Sequence, residues 1–199
     1  SINEVSRLPI IDVIRMKKNM GSGAIKRIAI EKVLHPIIAI MDSDDISVPT
    51  RFETQLLSLS DNYTEVVGGW ISEFRVSPGD TRKIRKVPTC INQIKRFAKW
   101  RNPINHVSLM FTKNCYDRAG GYPSSRYCED WELVVQMLLA DSKIKNIPEV
   151  LVHVRAGPDM ITRRKKKSHL NAELALFHKF YKYKFILLHE LILNILLRL

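Results

Sequence analysis

The feature that most constrains this sequence is an apolar run that ends abruptly in a cluster of carboxylates. Residues Ile37–Met41 form a continuous apolar segment, and Asp42-Ser43-Asp44-Asp45 follows it directly. A continuous run of this length is typical of a strand that is buried on both faces. Such strands occur in sheets that helices cover on both sides, so the run favours an α/β domain.

Helical and strand patterns alternate along the rest of the chain. The β-branched run Ile10–Ile14 predicts another strand, before a turn at residues 19–23. Helices are predicted over residues 24–33, 51–59 and 129–140, and strands over residues 65–76, 107–112, 144–147 and 150–154. This alternation indicates a largely parallel sheet. Because such sheets bind ligands at the carboxyl ends of their strands, the acidic cluster lies where a site is expected.

The charge of the chain is unevenly distributed. Its 199 residues carry a net charge of +12, and residues 163–199, with nine basic and two acidic side chains, supply +7 of it. This excess favours an anionic partner: nucleic acid, acidic lipid headgroups or a diphosphate substrate. The basic run Arg163–Lys167 separates the predicted α/β domain, residues 1–162, from a tail, residues 163–199, that has two apolar-rich helical stretches.

The cysteines indicate the compartment. Cys90, Cys115 and Cys128 are odd in number and have no CxxC spacing, which supports neither a disulfide framework nor a cysteine-rich zinc site. No signal-peptide pattern is visible after Ser1. We therefore expect a reducing, cytoplasmic setting.

The acidic cluster has two readings. Three carboxylates within four residues repel one another, so they are expected either beside a cation or fully in water. Hard divalent ions such as magnesium and manganese take oxygen ligands, typically one or two carboxylates together with substrate phosphates. The alternative is a solvated acidic turn in which Asp45 caps the following helix.

Several strings together match a known family. The segment Met41–Phe52 (MDSDDISVPTRF) closely resembles the DxD region of family 2 glycosyltransferases, which have the GT-A fold. Further strings follow in the family's order: Arg101–His106 (RNPINH), Ala119–Pro123 (AGGYP), Cys128–Leu133 (CEDWEL) and Asn146–Leu151 (NIPEVL). The subgroup that the chain most resembles contains the amylovoran and capsular-polysaccharide glycosyltransferases. The resemblance implies a Rossmann-like α/β sheet and inverting transfer of a sugar from a nucleotide-diphosphate donor to a hydroxyl of a glycan or lipid-linked acceptor.

The resemblance also implies roles for individual residues. Asp44 would contact the divalent metal, manganese or magnesium, and Asp42 would assist at the metal or at the donor ribose. The turn Asn19-Met20-Gly21 would border the donor site. Asp130 would be the general base that takes the proton of the acceptor hydroxyl, with its pKa tuned by the neighbouring Glu129. Without the resemblance, the Glu129-Asp130 pair would be explained by helix-dipole compensation in a first turn.

Two further residues are candidates for acceptor binding, and each has a structural alternative. Trp131, beside the predicted base, would offer a surface on which a sugar stacks, although a large aromatic side chain on an apolar helix face also suits a core. His106, which lies after a proline turn, would form a hydrogen bond with the substrate or with the protein itself.

The chain departs from the family pattern at its start. Family members begin with a strand, a helix and a second strand whose Asp-rich loop holds the nucleobase, and none of this precedes Ser1. The resemblance therefore implies an N-terminally truncated domain without its first β-α-β unit, and a catalytically inactive remnant is one alternative. Another is a basic protein that binds nucleic acid or an anionic surface. Because no predicted helix combines a basic face with base-reading side chains, we expect no nucleic-acid partner.

The end of the tail predicts contact with a membrane surface. Residues Phe185–Leu199 contain four polar side chains on one half of a helical wheel, which leaves a wide apolar face. A 15-residue helix would be about 22 Å long, short of the roughly 30 Å hydrocarbon core, so it would lie in the interface. A peripheral enzyme at the cytoplasmic face, acting on a lipid-linked acceptor, fits this pattern. Alternatively, the helix folds back over the domain or pairs with another copy as a homodimer.

Overall fold

A mixed β-sheet forms the centre of the computed structural model, which describes residues 11–61, 63–125, 127–157 and 167–198. The helices are α1 (Ser22–Glu31), α2 (Arg51–Leu59), α3 (Ile91–Ala98), α4 (Lys113–Arg118), α5 (Glu129–Leu139), α6 (Lys167–Lys182) and α7 (Leu188–Leu196). The strands are β1 (Ile37–Ala39), β2 (Ile46–Ser47), β3 (Val66–Phe74), β4 (Ile84–Arg85), β5 (Met110–Thr112) and β6 (Ile144–Arg155). One turn of 3-10 helix, His106–Ser108, leads into β5.

The strand order is β1-β5-β3-β6-β2, with β4 paired to β3. Among the described strands, β3 and β6 run parallel, whereas β1–β5, β3–β5, β2–β6 and β3–β4 are antiparallel. The sheet is therefore mixed, and the prediction of a largely parallel sheet was wrong for this part of the chain. Apolar runs report that a strand is buried, and they carry no information about its direction.

Strand β1 is buried on one side. Ile38 and Ile40 are each 7% exposed, but Ala39 and Met41 are exposed, so burial alternates along the segment. The prediction of a strand buried on both faces was therefore wrong for this run. The predicted strand at Ile10–Ile14 is also absent from its described part, because residues 11–14 have no regular secondary structure, and Ile10 lies outside the description.

Strands β3 and β6 form the longest ladder of the sheet. The two strands that we predicted at residues 144–147 and 150–154 are one strand, which passes Pro148 through irregularities in its register with β3. Two adjacent glycines of β3 leave room for side chains of β6 to lie close to the β3 backbone. A Cβ on Gly68 would lie 2.2 Å from Asn146 Oδ1, and one on Gly69 would lie 2.4 Å from Leu151 Cδ1.

The core lies mainly between the sheet and helices α1, α3, α5 and α6. The smaller cluster on the other face of the sheet includes Leu59 of α2 and Leu151 of β6. Phe177 and Phe180 of α6 are fully buried in the larger cluster, so α6 shares one core with the α/β part. The basic run Arg163–Lys167, at the predicted boundary, lies outside the described residues except for its last member.

The predicted helices agree well with the structure. Helix α2 has the predicted bounds, and α1 and α5 differ from prediction by one or two residues at their ends. None of the helices in the described residues is both long and apolar enough for a membrane crossing.

Candidate active site

The acidic cluster forms an exposed turn after β1. The turn is closed by a 3.3 Å hydrogen bond from the Asp45 N–H to the Asp42 carbonyl. Asp42 and Asp44 are exposed, and within the described residues neither carboxylate has a hydrogen-bond partner. Such uncompensated oxygen donors suit a hard divalent cation, so the residues present fit the magnesium or manganese that the resemblance implies.

Asp45 has a different environment from its two neighbours. Its Oδ1 accepts a 3.0 Å hydrogen bond from the Arg155 N–H, which ties the turn to the end of β6. Burial raises the pKa of Asp45, the Arg155 hydrogen bond opposes that rise, and the charges of Asp44 and Asp42 add to it. The prediction that Asp45 caps the next helix was wrong, because β2 intervenes and Thr50 occupies the N-cap of α2.

A buried arginine beneath the turn was missed by the sequence analysis. Arg51 is 0% exposed, and its guanidinium donates to the Ile40 carbonyl at 2.8 Å and to Ser47 Oγ at 3.0 Å. These acceptors lie on either side of the acidic turn, so Arg51 holds both ends of it. Its Nε donates to Gln55 Oε1 at 2.9 Å, and Gln55 in turn donates to carbonyls of β3 and the 3-10 turn. Burial lowers the pKa of Arg51 to about 10. The sequence signal that could have identified Arg51 was its position within Met41–Phe52, the segment that resembles the DxD region.

The second group of carboxylates lies at the start of α5. Cys128, the N-cap, has a φ of 60°, a left-handed conformation that turns the chain sharply into the helix. Asp130 is half-buried, and its Oδ2 accepts a 2.9 Å hydrogen bond from Asn102 Nδ2. Asn102 Oδ1 accepts a bond from the Ile104 N–H, which fixes the amide in place. The Asn102 amide thus orients Asp130, a positioning role that the sequence analysis did not assign.

Glu129 packs against α1 and is largely shielded from solvent. It is 9% exposed, and a Cβ on Gly23 would lie only 2.9 Å from Glu129 Cγ. Burial raises the pKa of Glu129, as does the neighbouring Asp130, while Lys26 opposes the rise. The Glu129 carboxylate therefore joins the first turns of α1 and α5.

His106 lies between the two acidic groups. Its Nε2 is 3.1 Å from Lys26 Nζ and 3.1 Å from the Tyr122 hydroxyl. Burial lowers the pKa of His106 to about 4, the charges of Asp130 and Asp42 oppose this, and Lys26 reinforces it. Because an ammonium group has only donors, Nε2 accepts and the ring proton is on Nδ1. Nδ1 is buried and has no hydrogen-bond partner in the described part of the chain.

Trp131 packs in the core, as the structural alternative for this residue predicted. It is 5% exposed, and its ring meets Phe177 and Phe180 edge-on with centroids 5.4 and 5.6 Å away. Its Nε1 donates to the Ala98 carbonyl at 2.9 Å. Only a small part of Trp131 is accessible, on the wall of the cavity that opens beside Asp130, and its role in sugar stacking stays a prediction. The neighbouring Trp100 is half-buried and was not selected by the sequence analysis.

Asn19 and Gly21 form the entry to α1. The Gly21 N–H donates to Asn19 Oδ1 at 3.0 Å, and Gly21, the N-cap, has a φ of 87° that favours glycine. This places the predicted donor-binding pair at a helix N-terminus, about one turn before Lys26.

A cavity of about 800 Å³ opens beside Asp130. Its wall contains Asp130 and Asn102 but neither Asp42 nor Asp44, so the acidic turn is not part of this cavity. The other lining residues are Arg85, Lys86, Phe97, Trp100, Arg101, Cys128, Trp131, His169, Glu173, Leu197 and Arg198. Helices α6 and α7 thus complete a cavity that the α/β part begins.

One other cluster has the residue types of a metal site. Potential ligand atoms of Cys128, His169 and Glu173 lie within 4.8 Å of one another. Glu173 already pairs with Arg198, at 2.7 Å between Oε2 and Nε, which neutralises its charge. This cluster is separate from the predicted ligands Asp42 and Asp44, and a thiol and an imidazole are a less suitable set for magnesium or manganese.

The mixed sheet with an acidic turn at the end of β1 is the GT-A glycosyltransferase fold. In support, the crystal structure of S. aureus TarS 1-349 in complex with UDP-GlcNAc matches 99% of this chain and 58% of that chain, with a TM-score of 0.68 and 13% sequence identity. The GT-A fold implied by the sequence is confirmed.

The chain belongs to glycosyl transferase family 2, whose model matches residues 2–118. The matched span contains Asp42 and Asp44, and Asp130 lies beyond it. The chain is 32% identical over 85% of its length to the amylovoran biosynthesis glycosyltransferase AmsE of Erwinia amylovora. It is 33% identical over 92% of its length to the UDP-Gal:alpha-D-GlcNAc-diphosphoundecaprenol beta-1,3-galactosyltransferase of Escherichia coli. The chain spans 63% and 66% of the lengths of these two relatives.

Proposed function

We propose that this chain is the catalytic part of an inverting glycosyltransferase that acts in surface-polysaccharide biosynthesis. The donor is a nucleotide-diphosphate sugar, and the acceptor is a hydroxyl of a glycan or of a lipid-linked sugar. The observation that carries this proposal is the position of Asp130. Its carboxylate is held by Asn102 and forms part of a cavity wall, and both Asp130 and Asp42 of the acidic turn are close enough to affect the pKa of His106.

Asp130 is the general base of the proposed reaction. It takes the proton of the acceptor hydroxyl while the oxygen forms a bond to the anomeric carbon of the donor sugar. The bond from that carbon to the diphosphate breaks on the opposite face, and the electron pair leaves with the nucleoside diphosphate, so the configuration inverts. The Asn102 amide orients the base, because it occupies one carboxylate oxygen and leaves the other for the acceptor.

Asp44 and Asp42 are the proposed metal ligands. Their carboxylates are exposed and unpartnered within the described residues, and Arg51 fixes the backbone on both sides of them. A bound magnesium or manganese ion supplies charge neutralisation for the diphosphate leaving group. Asp45 is not assigned to this role, because its Oδ1 already accepts a hydrogen bond from the Arg155 N–H.

His106, Asn19 and Gly21 have supporting roles in this proposal. His106 is neutral at pH 7, because its pKa is about 4, and its Nδ1–H has no partner in the described chain. Because Nδ1 is buried, His106 acts in this proposal through Lys26 and Tyr122, which its Nε2 holds near the base and the acidic turn. Asn19 and Gly21 border the donor at the start of α1, where backbone N–H groups suit an anionic ligand.

A transfer assay with a panel of nucleotide sugars tests this function. The intact transferase is incubated with manganese and a lipid-linked sugar acceptor, and the anomeric configuration of the product is read by NMR. We expect metal-dependent transfer with inversion. A product of retained configuration would contradict the role of Asp130 as a base, because retention requires a second displacement.

The C-terminal helix supports a further part of the proposal, contact with a membrane surface. The polar side of α7 faces the protein: Glu190 pairs with Lys99 at 2.8 Å, and Asn194 donates to the Lys99 carbonyl at 3.1 Å. Arg198 donates to the Trp100 carbonyl at 2.8 Å. Leu191 and Ile195 also pack against the core, so the outward side of α7 and its flanks is formed mainly by the remaining apolar residues, Leu187, Leu188, Ile192, Leu193, Leu196 and Leu197.

The residues around this outward face favour an anionic bilayer as its occupant. Lys182 and Lys184 are exposed at the preceding turn, next to the exposed rings of Tyr181 and Tyr183. Apolar side chains flanked by cations and aromatic rings are typical of helices that lie in the headgroup region. In this proposal the transferase lies at the cytoplasmic face, where a lipid-linked acceptor would be presented.

Vesicle co-sedimentation tests the membrane contact. Deleting the tail would remove core residues such as Phe180, so substitutions on the outward face are the better variants. Leu193→Ser combined with Leu196→Ser should lower the partition coefficient onto phosphatidylglycerol vesicles by roughly 100-fold, since each buried leucine contributes on the order of 1.5 kcal/mol. Leu57→Ser, at a leucine of α2 that is 68% exposed, is the matched control. Equal loss in both proteins, or no loss in either, would contradict the assignment.

A further inference from the structure

The cavity beside Asp130 has a basic wall. Four cationic side chains line it, namely Arg85, Lys86, Arg101 and Arg198, against the two carboxylates of Asp130 and Glu173. A concave surface with an excess of one charge concentrates ligands of the opposite charge. The wall therefore favours an anionic ligand close to the base.

Of the four cations, Arg198 has a guanidinium that other groups of the protein bind. It pairs with Glu173 at 2.7 Å, donates to Asn194 Oδ1 at 3.1 Å and to the Trp100 carbonyl at 2.8 Å, and lies 4.3 Å from the centre of the Phe177 ring. Its charge is balanced by Glu173, and its donors are mostly used. The excess positive charge accordingly resides on the α/β side of the cavity.

Arg101 and Lys86 carry that excess charge at the cavity mouth. Both are exposed, and Arg101 makes no ion pair within the part of the chain that the structure describes. Lys86 Nζ lies 4.8 Å from the centre of the Trp70 ring, an arrangement that holds an ammonium group in place without neutralising it. Arg101 directly precedes Asn102, whose amide binds Asp130.

We propose that this cavity binds a phosphate or diphosphate group of the acceptor, with Arg101 and Lys86 as its ligands. The inference rests on the proposed function, because it takes Asp130 as the base toward which the acceptor hydroxyl points. The acceptor is then a sugar 1-phosphate or 1-diphosphate. Its sugar lies between Asp130 and the half-buried Trp100, and its phosphate lies at the basic mouth of the cavity.

The geometry separates this site from the donor's diphosphate. Asp42 and Asp44 are outside the cavity wall, and a nucleotide diphosphate needs the cation that these two carboxylates hold. The cavity presents its own side-chain cations and needs no metal for a phosphate. Guanidinium groups match phosphate oxygens bidentately, which suits Arg101 to this task.

Calorimetry with inorganic pyrophosphate in the presence of EDTA tests the site. Arg101→Gln and Lys86→Gln should each weaken binding by about tenfold, since a charge-assisted hydrogen bond contributes a factor of that order. Arg96→Gln is the matched control, because Arg96 is an exposed cation of α3 outside the described wall of the cavity. Equal weakening in the control would reduce the effect to general surface charge and overturn the proposal.

A second titration, with UDP and manganese, separates this proposal from the proposed function. Asp44→Ala should weaken UDP–manganese binding by roughly 100-fold and leave pyrophosphate binding in EDTA intact, whereas Arg101→Gln should weaken pyrophosphate binding by about tenfold and leave UDP–manganese binding intact. Loss of UDP–manganese binding in Arg101→Gln would assign the arginine to the donor and overturn the acceptor site. Unchanged UDP–manganese binding in Asp44→Ala would contradict the metal site alone.

A third comparison distinguishes a sugar phosphate from a phospholipid headgroup. Glucose 1-phosphate should bind more tightly than glycerol 1-phosphate, by about fivefold, because its ring stacks on Trp100. Trp100→Leu should remove this preference while leaving pyrophosphate binding unchanged. Equal affinities of the wild-type protein for the two phosphates would overturn the assignment to the acceptor.

Discussion

The two groups of carboxylates in this protein are held in opposite ways. In the acidic turn, Asp42 and Asp44 extend into solvent without partners in the described residues. At the start of α5, Asp130 is held by Asn102, and the neighbouring Glu132, 2% exposed, is bound by Lys179, Tyr183 and Ser125.

The difference corresponds to the two tasks that we assign. A metal site gains from carboxylates whose repulsion only a cation relieves, so the turn is kept open and its support is placed on the backbone through Arg51. A general base gains from a fixed direction, so the carboxylate itself is tethered. Mutation of Arg51 would therefore affect the backbone of the acidic turn, whereas mutation of Asn102 would affect the side chain of Asp130.

The largest effect is expected for the tethered base. Asp130→Asn should lower the rate of transfer by about 10³-fold, within the range of 10²–10⁴ typical of a general base, and should leave donor binding nearly unchanged. Steady-state transfer and UDP–manganese titration measure the two quantities. Asp117→Asn, at an exposed acid of α4, is the control. Retained turnover in Asp130→Asn would remove it as the base.

Removing the support of the acidic turn should have the next largest effect. Arg51→Met leaves the Ile40 carbonyl and Gln55 without their buried donor and should lower the free energy of unfolding by about 3 kcal/mol. Urea denaturation measures the change, and Arg96→Met, at an exposed arginine, should cost less than about 0.5 kcal/mol. If both variants were equally stable, Arg51 would not be what holds the turn.

Within the turn, Asp44 and Asp45 should respond differently. Asp44→Ala should weaken manganese-dependent UDP binding by roughly 100-fold, because loss of even an outer partner of a metal ligand costs about 10–100-fold. Asp45→Ala should leave metal affinity almost unchanged and lower stability by about 1 kcal/mol, since the Arg155 N–H loses its acceptor. If folded Asp44→Ala and Asp45→Ala proteins lost metal affinity equally, the DxD motif would be assigned to the wrong aspartates.

The effect that is smallest at neutral pH concerns His106, which lies between the two groups. Its folded-state pKa of about 4 is below its ordinary 6.5, so the unfolded chain binds more protons between these values. The contribution of His106 to stability is therefore present above pH 6.5 and is lost as the pH falls toward 4. NMR titration of the ring measures this pKa directly, and a value near 6.5 would contradict the burial that we describe.

Local sequence was sufficient for the helices and for the acidic turn. The bounds of α2 follow from its apolar spacing after Pro49, and a charged turn after an apolar run needs no distant contact to form. The family strings also identified the fold, because they record local patterns that this architecture requires.

Strand direction and side-chain partners depended on the tertiary structure. An apolar run such as Ile37–Met41 reports burial averaged over its length, whereas alternation and pairing depend on which strand lies beside it. Asp45 resembled a helix cap until β6 supplied its partner Arg155, which is 110 residues away. Trp131 suited both a stacking surface and a core, and the rings of α6 pack it in the core.

The tail shows the same division most clearly. Its amphipathic pattern was evident from the sequence, and periodicity alone predicted two faces on α7. Periodicity cannot say which face meets the protein, since that depends on what the opposing surface offers. Lys99, Trp100 and Glu173 offer charges and a carbonyl that bind Glu190 and Arg198, so most of the remaining leucines of α7 are exposed, although Leu191 packs in the core.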